Sequence, residues 1–200
     1  LLPQRLFRFF NLQVVSYAIP ALIAVGILGF MRKRSSILPL HLLRQAMVPA
    51  AIRKLESLMP NSGGFLEAIP LTAFVAMSLS SSQIDTPIIN RGISFLAAAQ
   101  REDGGFPIDT SLSTWVTTLS VKALGSDSAA CIGEKDRSCL RDYLLSRQYT
   151  DIHPFNGAAA GGWGWNDGDG SVPDADDTPG AILALLELFE GTQREIDALL

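Results

Sequence analysis

Apolar residues recur at helical spacing along most of the chain after about residue 50. Ile89, Ile93 and Leu96 lie four and three positions apart, so they fall on one face of a helix. Ile182 and Leu185 repeat this spacing near the end of the chain. Signals for strands are few. The pattern therefore predicts an all-α protein.

Three Gly-Gly-aromatic marks interrupt the helical pattern. They are Gly63-Gly64-Phe65, Gly104-Gly105-Phe106 and Gly161-Gly162-Trp163. Each mark separates two predicted helices. The helices before the marks are 52–58, 87–100 and 138–148, and those after them are 71–79, 114–124 and 179–190. Helix pairs that cannot bury their apolar faces alone must stack on copies of themselves. We expect a helical repeat protein, either an open solenoid or a closed toroid.

The N-terminal third is both apolar and basic. No charged residue lies between Arg8 and Arg32, and segment 14–30 approaches the roughly 20 apolar residues that span a bilayer. Because it contains Pro20, it is compatible with a spanning helix, a buried core helix or a helix that dips into one leaflet. Eight basic residues precede the first acid, Glu56: Arg5, Arg8, Arg32, Lys33, Arg34, Arg44, Arg53 and Lys54. This favours anionic lipid head groups over nucleic acid.

Composition adds limited information. The chain has 200 residues, a net charge of −4 and 48% hydrophobic residues, which suits a helical protein in contact with lipid. It begins at Leu1 and ends at Leu200 within an apolar helical pattern, so we expect part of a longer protein. Cys131 and Cys139 fit ordinary thiols, since no Cys/His spacing typical of a metal site is present.

The candidate chemistry lies in Asp174-Ala175-Asp176-Asp177, which follows two tryptophans. Three carboxylates within four positions cannot all ionise cheaply away from water, so at least one proton should be held near neutral pH. Thr178-Pro179 predicts an N-cap and first-turn proline. The helix dipole there favours the ionised form by less than about 1 kcal/mol at exposed sites, whereas burial shifts a carboxyl pKa much further. A buried acid beside aromatic faces suits alkene protonation.

Four interpretations of this acidic stretch remain open from the residues alone. A calcium loop starting at Asp167 lacks the required Gly and Glu, because Val172 and Thr178 occupy those positions. A glycosidase pair needs carboxyls roughly 5 to 9 Å apart, which sequence neighbours seldom reach. A solvated acidic turn and an acid catalyst for alkene protonation are the other two.

Three motifs resemble the squalene–hopene cyclase family of class II triterpene cyclases. Segment 174–178, preceded by Pro173 and the Gly-Gly-Trp mark, resembles the Asp-x-Asp-Asp-Thr acid motif of that family. Segment 91–106 resembles its Gln-Trp repeat, with Phe106 in place of tryptophan. Segment 2–20 resembles the region before its membrane-dipping helix. Together these motifs cover nearly the whole chain as an internal portion of a longer protein.

The resemblance implies a role for each matching residue. Asp176 would donate a proton to the terminal alkene, while Asp174 and Asp177 would hold its geometry and tune its acidity. Trp165 and Trp115 would face the developing cations, with core packing as the alternative for both rings. The implied reaction is polycyclisation of squalene or a similar linear polyprene, an isomerisation in hopanoid biosynthesis that needs no metal or redox cofactor.

The resemblance also implies an α/α toroid that is associated with the cytoplasmic side of the cell membrane. Residues 1–60 would form the membrane-associated segment, 61–107 part of a first helical-repeat barrel, and 108–200 the start of a second. The alternative function is a noncatalytic helical-repeat module that binds prenyl or other hydrophobic ligands.

The chain departs from the family pattern at several positions. Val116 follows Trp115 where the family usually has a supporting acid, and Pro179 replaces the common alanine. The histidine that usually supports the proton donor would lie beyond Leu200, and neither His41 nor His153 is an obvious substitute. These departures favour a divergent member, and we expect the 200-residue chain to be inactive alone.

Overall fold

The computed structural model describes residues 16–33 and 37–189. In these ranges helices are joined by turns and loops. Seven helices have twelve residues or more: α1 (Ile19–Arg32), α2 (Leu38–Leu58), α3 (Ile69–Ser81), α4 (Pro87–Ala99), α5 (Ser113–Leu124), α6 (Glu134–Ser146) and α7 (Asp177–Leu188). Shorter helical turns are Ser16–Ala18, Phe65–Glu67, Gly125–Asp127 and Ser128–Cys131. Within these described ranges no strand forms, and the prediction of an all-α fold is confirmed.

The chain divides into two compact units, of which the first ends at Thr110 and the second begins at Ser111. The division into 1–60, 61–107 and 108–200 stays a prediction. Arg5, Arg8, Arg34 and the first residues of the apolar segment lie outside the described residues.

In the first unit, α3 packs against both α1 and α4. Helix α1 buries Ile23, Ala24 and Ile27, while Leu22 and Val25 on its other side remain exposed. Thr86 caps α4 as the sequence predicts, because its hydroxyl accepts the Ile88 N–H and Pro87 occupies the first turn.

Among the described residues, no helix is both long enough and apolar enough to cross a membrane.

In the second unit, α7 packs against α5 and α6. The core of this unit comprises Val121, Leu144, Trp163, Ala181, Ala184, Leu185 and Leu188. Gly180 of α7 faces Thr118 of α5, where an added Cβ would make an ordinary van der Waals contact at 3.4 Å with Thr118 Oγ1. At the C-terminal end of α7, the guanidinium groups of Arg137 and Arg141 each donate to the Leu188 carbonyl at 3.1 Å. These two cations complement the negative end of the α7 dipole.

Candidate active site

A hydrogen-bonded clamp fixes the loop that leads to the acidic stretch. Gln148 Nε2 donates to the Gly161 carbonyl at 3.1 Å, and the Tyr149 N–H donates to the Gly162 carbonyl at 2.9 Å. The Gly161 N–H donates back to the Tyr149 carbonyl at 2.7 Å. The clamp therefore joins the end of α6 to the third Gly-Gly-aromatic mark.

The same clamp occurs at the second mark, in the first unit. Gln100 Nε2 donates to the Gly104 carbonyl at 3.2 Å, and the Arg101 N–H donates to the Gly105 carbonyl at 3.0 Å. Phe106, which follows, is 49% exposed. The equivalence of Gln148 and Gln100 was missed by the sequence analysis, although a glutamine at the end of a predicted helix before Gly-Gly-aromatic was a usable signal.

Trp163 anchors the acidic stretch to the core of the second unit. Its ring is fully buried, and its Nε1 donates to the Leu144 carbonyl at 2.7 Å. The Trp163 N–H donates to the Thr178 hydroxyl at 3.0 Å. Trp163 consequently connects the first turn of α7, through its backbone N–H, to the end of α6, through its indole.

Asp174, not Thr178, supplies the side-chain cap of α7. Asp174 Oδ1 accepts the N–H groups of Asp176 at 2.9 Å and Asp177 at 2.7 Å. The prediction of Thr178 as the N-cap is wrong, because the N-cap residue is Asp176, the helix begins at Asp177, and the Thr178 hydroxyl is engaged by the Trp163 backbone.

The remaining carboxyls of the stretch differ in environment. Asp176 is exposed, whereas Asp177 is only 4% exposed and its Oδ1 has no hydrogen-bond partner. Burial raises the pKa of Asp177 from 3.8 to about 7, with the charge of Asp174, a hydrogen bond to its side chain and the charge of Asp176 acting in the same direction. The stretch thus contains a carboxyl that keeps its proton near neutral pH.

A short loop segment joins the first turns of α5 and α7. Trp165 accepts the Trp115 N–H at 3.1 Å through its carbonyl, while Trp163 is bound to Thr178 as described above. The N-terminal ends of the two helices therefore lie side by side. Trp115 is 43% exposed and Trp165 is half-buried.

His153 lies in the loop between α6 and α7. It is buried, and this burial lowers its pKa. Its Nδ1 accepts the Phe155 N–H at 3.3 Å, and its ring contacts Tyr149 edge to face at 4.8 Å. Its contacts therefore serve the loop rather than the acidic stretch.

The segment from Asp167 to Ser171 is held by hydrogen bonds to the first turn of α5 and to the preceding residue Asn166. Asp167 accepts the Ser113 hydroxyl at 3.0 Å, and Ser171 Oγ accepts the Asn166 N–H at 3.3 Å. In the part of the chain that the structure describes, His, Cys, Asp and Glu side chains form no group that could hold a metal ion.

Comparison with known proteins finds sporulenol synthase of Bacillus subtilis (strain 168), which is 32% identical over 124 residues. The match covers 57% of this chain and 19% of the relative, so the chain spans about a fifth of the length of that protein. No protein-family model matches, and no solved structure matches. The similarity to this synthase supports the resemblance to triterpene cyclases and fits the α/α toroid.

Proposed function

We propose that the chain is the acid-bearing portion of an enzyme that cyclises squalene or a similar linear polyprene. The observation that carries the proposal is the Asp177 carboxyl, which is buried within an acidic stretch and has a pKa of about 7. The similarity to sporulenol synthase supports the reaction class. An acid that remains protonated near neutral pH is what alkene protonation requires.

The proposed reaction begins with proton transfer from the acidic stretch to a terminal alkene. A carboxyl O–H bond breaks, a C–H bond forms, and a carboxylate and a carbocation result. Attack by successive double bonds of the substrate closes the rings, and loss of a proton from the final cation completes an isomerisation. In this scheme Asp176, the third residue of the acid motif, delivers the proton; because its side chain is exposed, the bound substrate has to exclude water from it. Asp174 and Asp177 hold its geometry and tune its acidity.

The exposed face of α5 supplies an apolar surface for a polyprene. Trp115, Val116 and Leu119 are each about half exposed, on the helix whose N-terminal end lies beside that of α7. In the proposal, the rings of Trp115 and Trp165 stabilise the cations, an interaction of about 2 kcal/mol or more when it is desolvated. A bound polyprene would also exclude water, which would otherwise trap the cation.

The membrane and its cytoplasmic face are part of the proposal. Helices α1 and α2 together expose several large apolar side chains, among them Leu22, Val25, Leu38, Leu42 and Leu43. The exposed bases Arg32, Lys33 and Arg44 lie in the same segment, and no acid precedes Glu56. Apolar surface combined with positive charge suits attachment to anionic lipid.

Sedimentation with lipid vesicles tests the membrane proposal. We expect the chain to bind vesicles containing phosphatidylserine more strongly than phosphatidylcholine vesicles, with loss at high salt. Leu42→Ser combined with Leu43→Ser should reduce binding, whereas Ile108→Ser, a change at an 80% exposed position outside α1 and α2, should not. Full recovery in the soluble fraction without detergent, unaffected by removing residues 1–34, would contradict it.

Product analysis tests the cyclase proposal. The protein encoded by the whole reading frame is incubated with squalene in detergent micelles, and the extract is analysed by mass spectrometry. We expect cyclic isomers from the wild type and from Asp151→Asn, an exposed loop position, but none from Asp176→Asn. Squalene binding without product in all three proteins would favour the noncatalytic prenyl-binding module. Unchanged product from Asp176→Asn would remove Asp176 from its role.

A further inference from the structure

The loop between α6 and the third Gly-Gly-aromatic mark lies against the segment that leads into the acidic stretch. Its first residue, Tyr149, donates through its hydroxyl to the Ser171 carbonyl at 2.7 Å. Further along the loop, Asn156 Nδ2 donates to the Pro173 carbonyl at 2.9 Å. Both accepting residues are buried. The loop therefore binds the backbone immediately before Asp174.

The side-chain amide of Asn156 binds two partners of opposite kind. Its Oδ1 accepts the Ala158 N–H at 2.9 Å, and its Nδ2 donates to the Pro173 carbonyl. Because an N–H only donates and a carbonyl only accepts, exchanging the amide oxygen and nitrogen would break both bonds. The first bond closes the loop on itself, and the second leaves the loop. The second bond is therefore the one that can act on the acidic stretch.

The peptide unit that joins Pro173 to Asp174 is held at both of its polar groups. Its carbonyl accepts Asn156 Nδ2, and its N–H, which belongs to Asp174, donates to the Trp163 carbonyl at 3.3 Å. A trans peptide unit is planar and carries these two groups on opposite sides, so the two bonds fix its rotation about the chain. This rotation sets ψ of Pro173 and φ of Asp174, and with them the direction in which the Asp174 side chain leaves the backbone.

We propose that Asn156 is a positioning residue for the acidic stretch: it fixes the peptide before Asp174, and Asp174 in turn fixes the turn that carries Asp176. Asp174 Oδ1 accepts the N–H groups of Asp176 at 2.9 Å and Asp177 at 2.7 Å. Rotation of the preceding peptide would move this oxygen and loosen both bonds. The catalytic meaning of the assignment rests on the proposed cyclase function, in which Asp176 delivers the proton, but the effect of Asn156 on the turn does not.

Tyr149 provides an internal comparison for this role. Tyr149 and Asn156 each donate one hydrogen bond from the loop to a buried backbone carbonyl, at similar distances. The Ser171 carbonyl belongs to a peptide that ends at Val172, whereas the Pro173 carbonyl belongs to the peptide that ends at the acidic stretch. If the loop only stabilised the fold, losing either bond would have the same effect on the reaction. A positioning role predicts that only the bond of Asn156 affects it.

Enzyme kinetics of these two residues test the proposal. The protein encoded by the whole reading frame is assayed with squalene in detergent micelles at about pH 7, where a loop carboxyl is ionised. Asn156→Asp keeps an oxygen for the Ala158 N–H but loses the donor to the Pro173 carbonyl. We expect kcat to fall about 10- to 100-fold with little change in KM, because a misplaced acid weakens the transition state and leaves substrate binding intact. Tyr149→Phe should keep most of the wild-type kcat.

A measurement without substrate separates this assignment from the cyclase function. Amide hydrogen exchange of the same proteins is followed by mass spectrometry of peptides that cover residues 174–178. We expect exchange in this segment to be about tenfold faster in Asn156→Asp than in wild type, because the N–H groups of the turn lose their fixed acceptor. Tyr149→Phe should exchange there as the wild type does.

Two results would overturn the proposal. One is a kcat of Asn156→Asp within about twofold of wild type, and the other is an equal fall in kcat for both variants with unchanged exchange at 174–178. If Asn156→Asp does not fold, Asn156→Ser decides by the same measurements, since its hydroxyl can accept the Ala158 N–H but is too short to reach Pro173. If the wild type forms no cyclic product, the cyclase function fails, and the exchange data alone decide the role of Asn156: faster exchange supports it and unchanged exchange refutes it.

Discussion

Replacing Asp177 with asparagine should change how the stability of the chain depends on pH. The pKa of Asp177 is raised from 3.8 to about 7 in the folded protein. The folded state therefore binds the proton more tightly than the unfolded chain does. The stability that this proton contributes is fully present below about pH 4 and is lost as pH rises through about pH 7. Asparagine cannot ionise, so the variant should lack this loss.

The size of the effect follows from proton linkage. One bound proton changes the free energy of unfolding by about 1.36 kcal/mol per pH unit. Between about pH 5 and about pH 7 the wild type should lose at most about 3 kcal/mol from this carboxyl, and above that pH the loss should level off. Relaxation and water entry reduce the value, so we expect about 1 to 2 kcal/mol.

Urea unfolding at about pH 5 and about pH 8, followed by circular dichroism, measures the difference. The free energy of unfolding of Asp177→Asn, relative to wild type, should rise between the two pH values by the amount given above. Asp151→Asn is the matched control, because it removes an exposed loop carboxylate. The reasoning is refuted if Asp177→Asn and wild type change in parallel within about 0.5 kcal/mol, or if the variant loses more stability than wild type at the higher pH.

Two further predictions concern the support of the site. Trp163→Phe removes the indole N–H that donates to Leu144 and should lower the free energy of unfolding by about 1 to 3 kcal/mol, measured by urea unfolding; no change would show that the 2.7 Å bond contributes nothing. Gly164→Ala should destabilise by more than about 2 kcal/mol, since its Cβ would lie 2.8 Å from the Val172 carbonyl oxygen. Gly133→Ala, with 4.0 Å to the nearest atom, is the control, and equal melting temperatures of the two variants would contradict the argument.

Helical periodicity predicted most of the fold because it depends on side chains within one element. Helices 71–79, 87–100 and 114–124 differ from α3, α4 and α5 by two residues or fewer at each end. The start of α2 was placed at residue 52 instead of Leu38, and the structure continues this helix through Pro49. Helix α6 begins at Glu134, whereas the sequence predicted a start at residue 138. The first-turn residues are polar, so they show no apolar periodicity from which the helix could be predicted.

The candidate site was predictable in composition but not in arrangement. The sequence indicated that one carboxyl of the stretch keeps a proton, which follows from charge density alone. Which carboxyl is buried depends on the packing of α5 and α7 and on the cap formed by Asp174. Periodicity contains no information about that packing, so the exposure of Asp176 and the burial of Asp177 could be known only from the structure.

The paired glutamine clamps have a consequence for how such chains diverge. Residues 101–103 alone separate Gln100 from Gly104 in one clamp. In the other clamp, residues 149–160 separate Gln148 from Gly161. The anchoring bonds are the same in both, so a long insertion leaves the Gly-Gly mark bound to the end of the preceding helix. A longer loop between fixed ends adds little to the entropy cost of loop closure, since that cost grows only with the logarithm of the number of loop residues. The loop between the glutamine and the glycine can therefore change in length and sequence during evolution while the hydrogen bonds at its ends are kept.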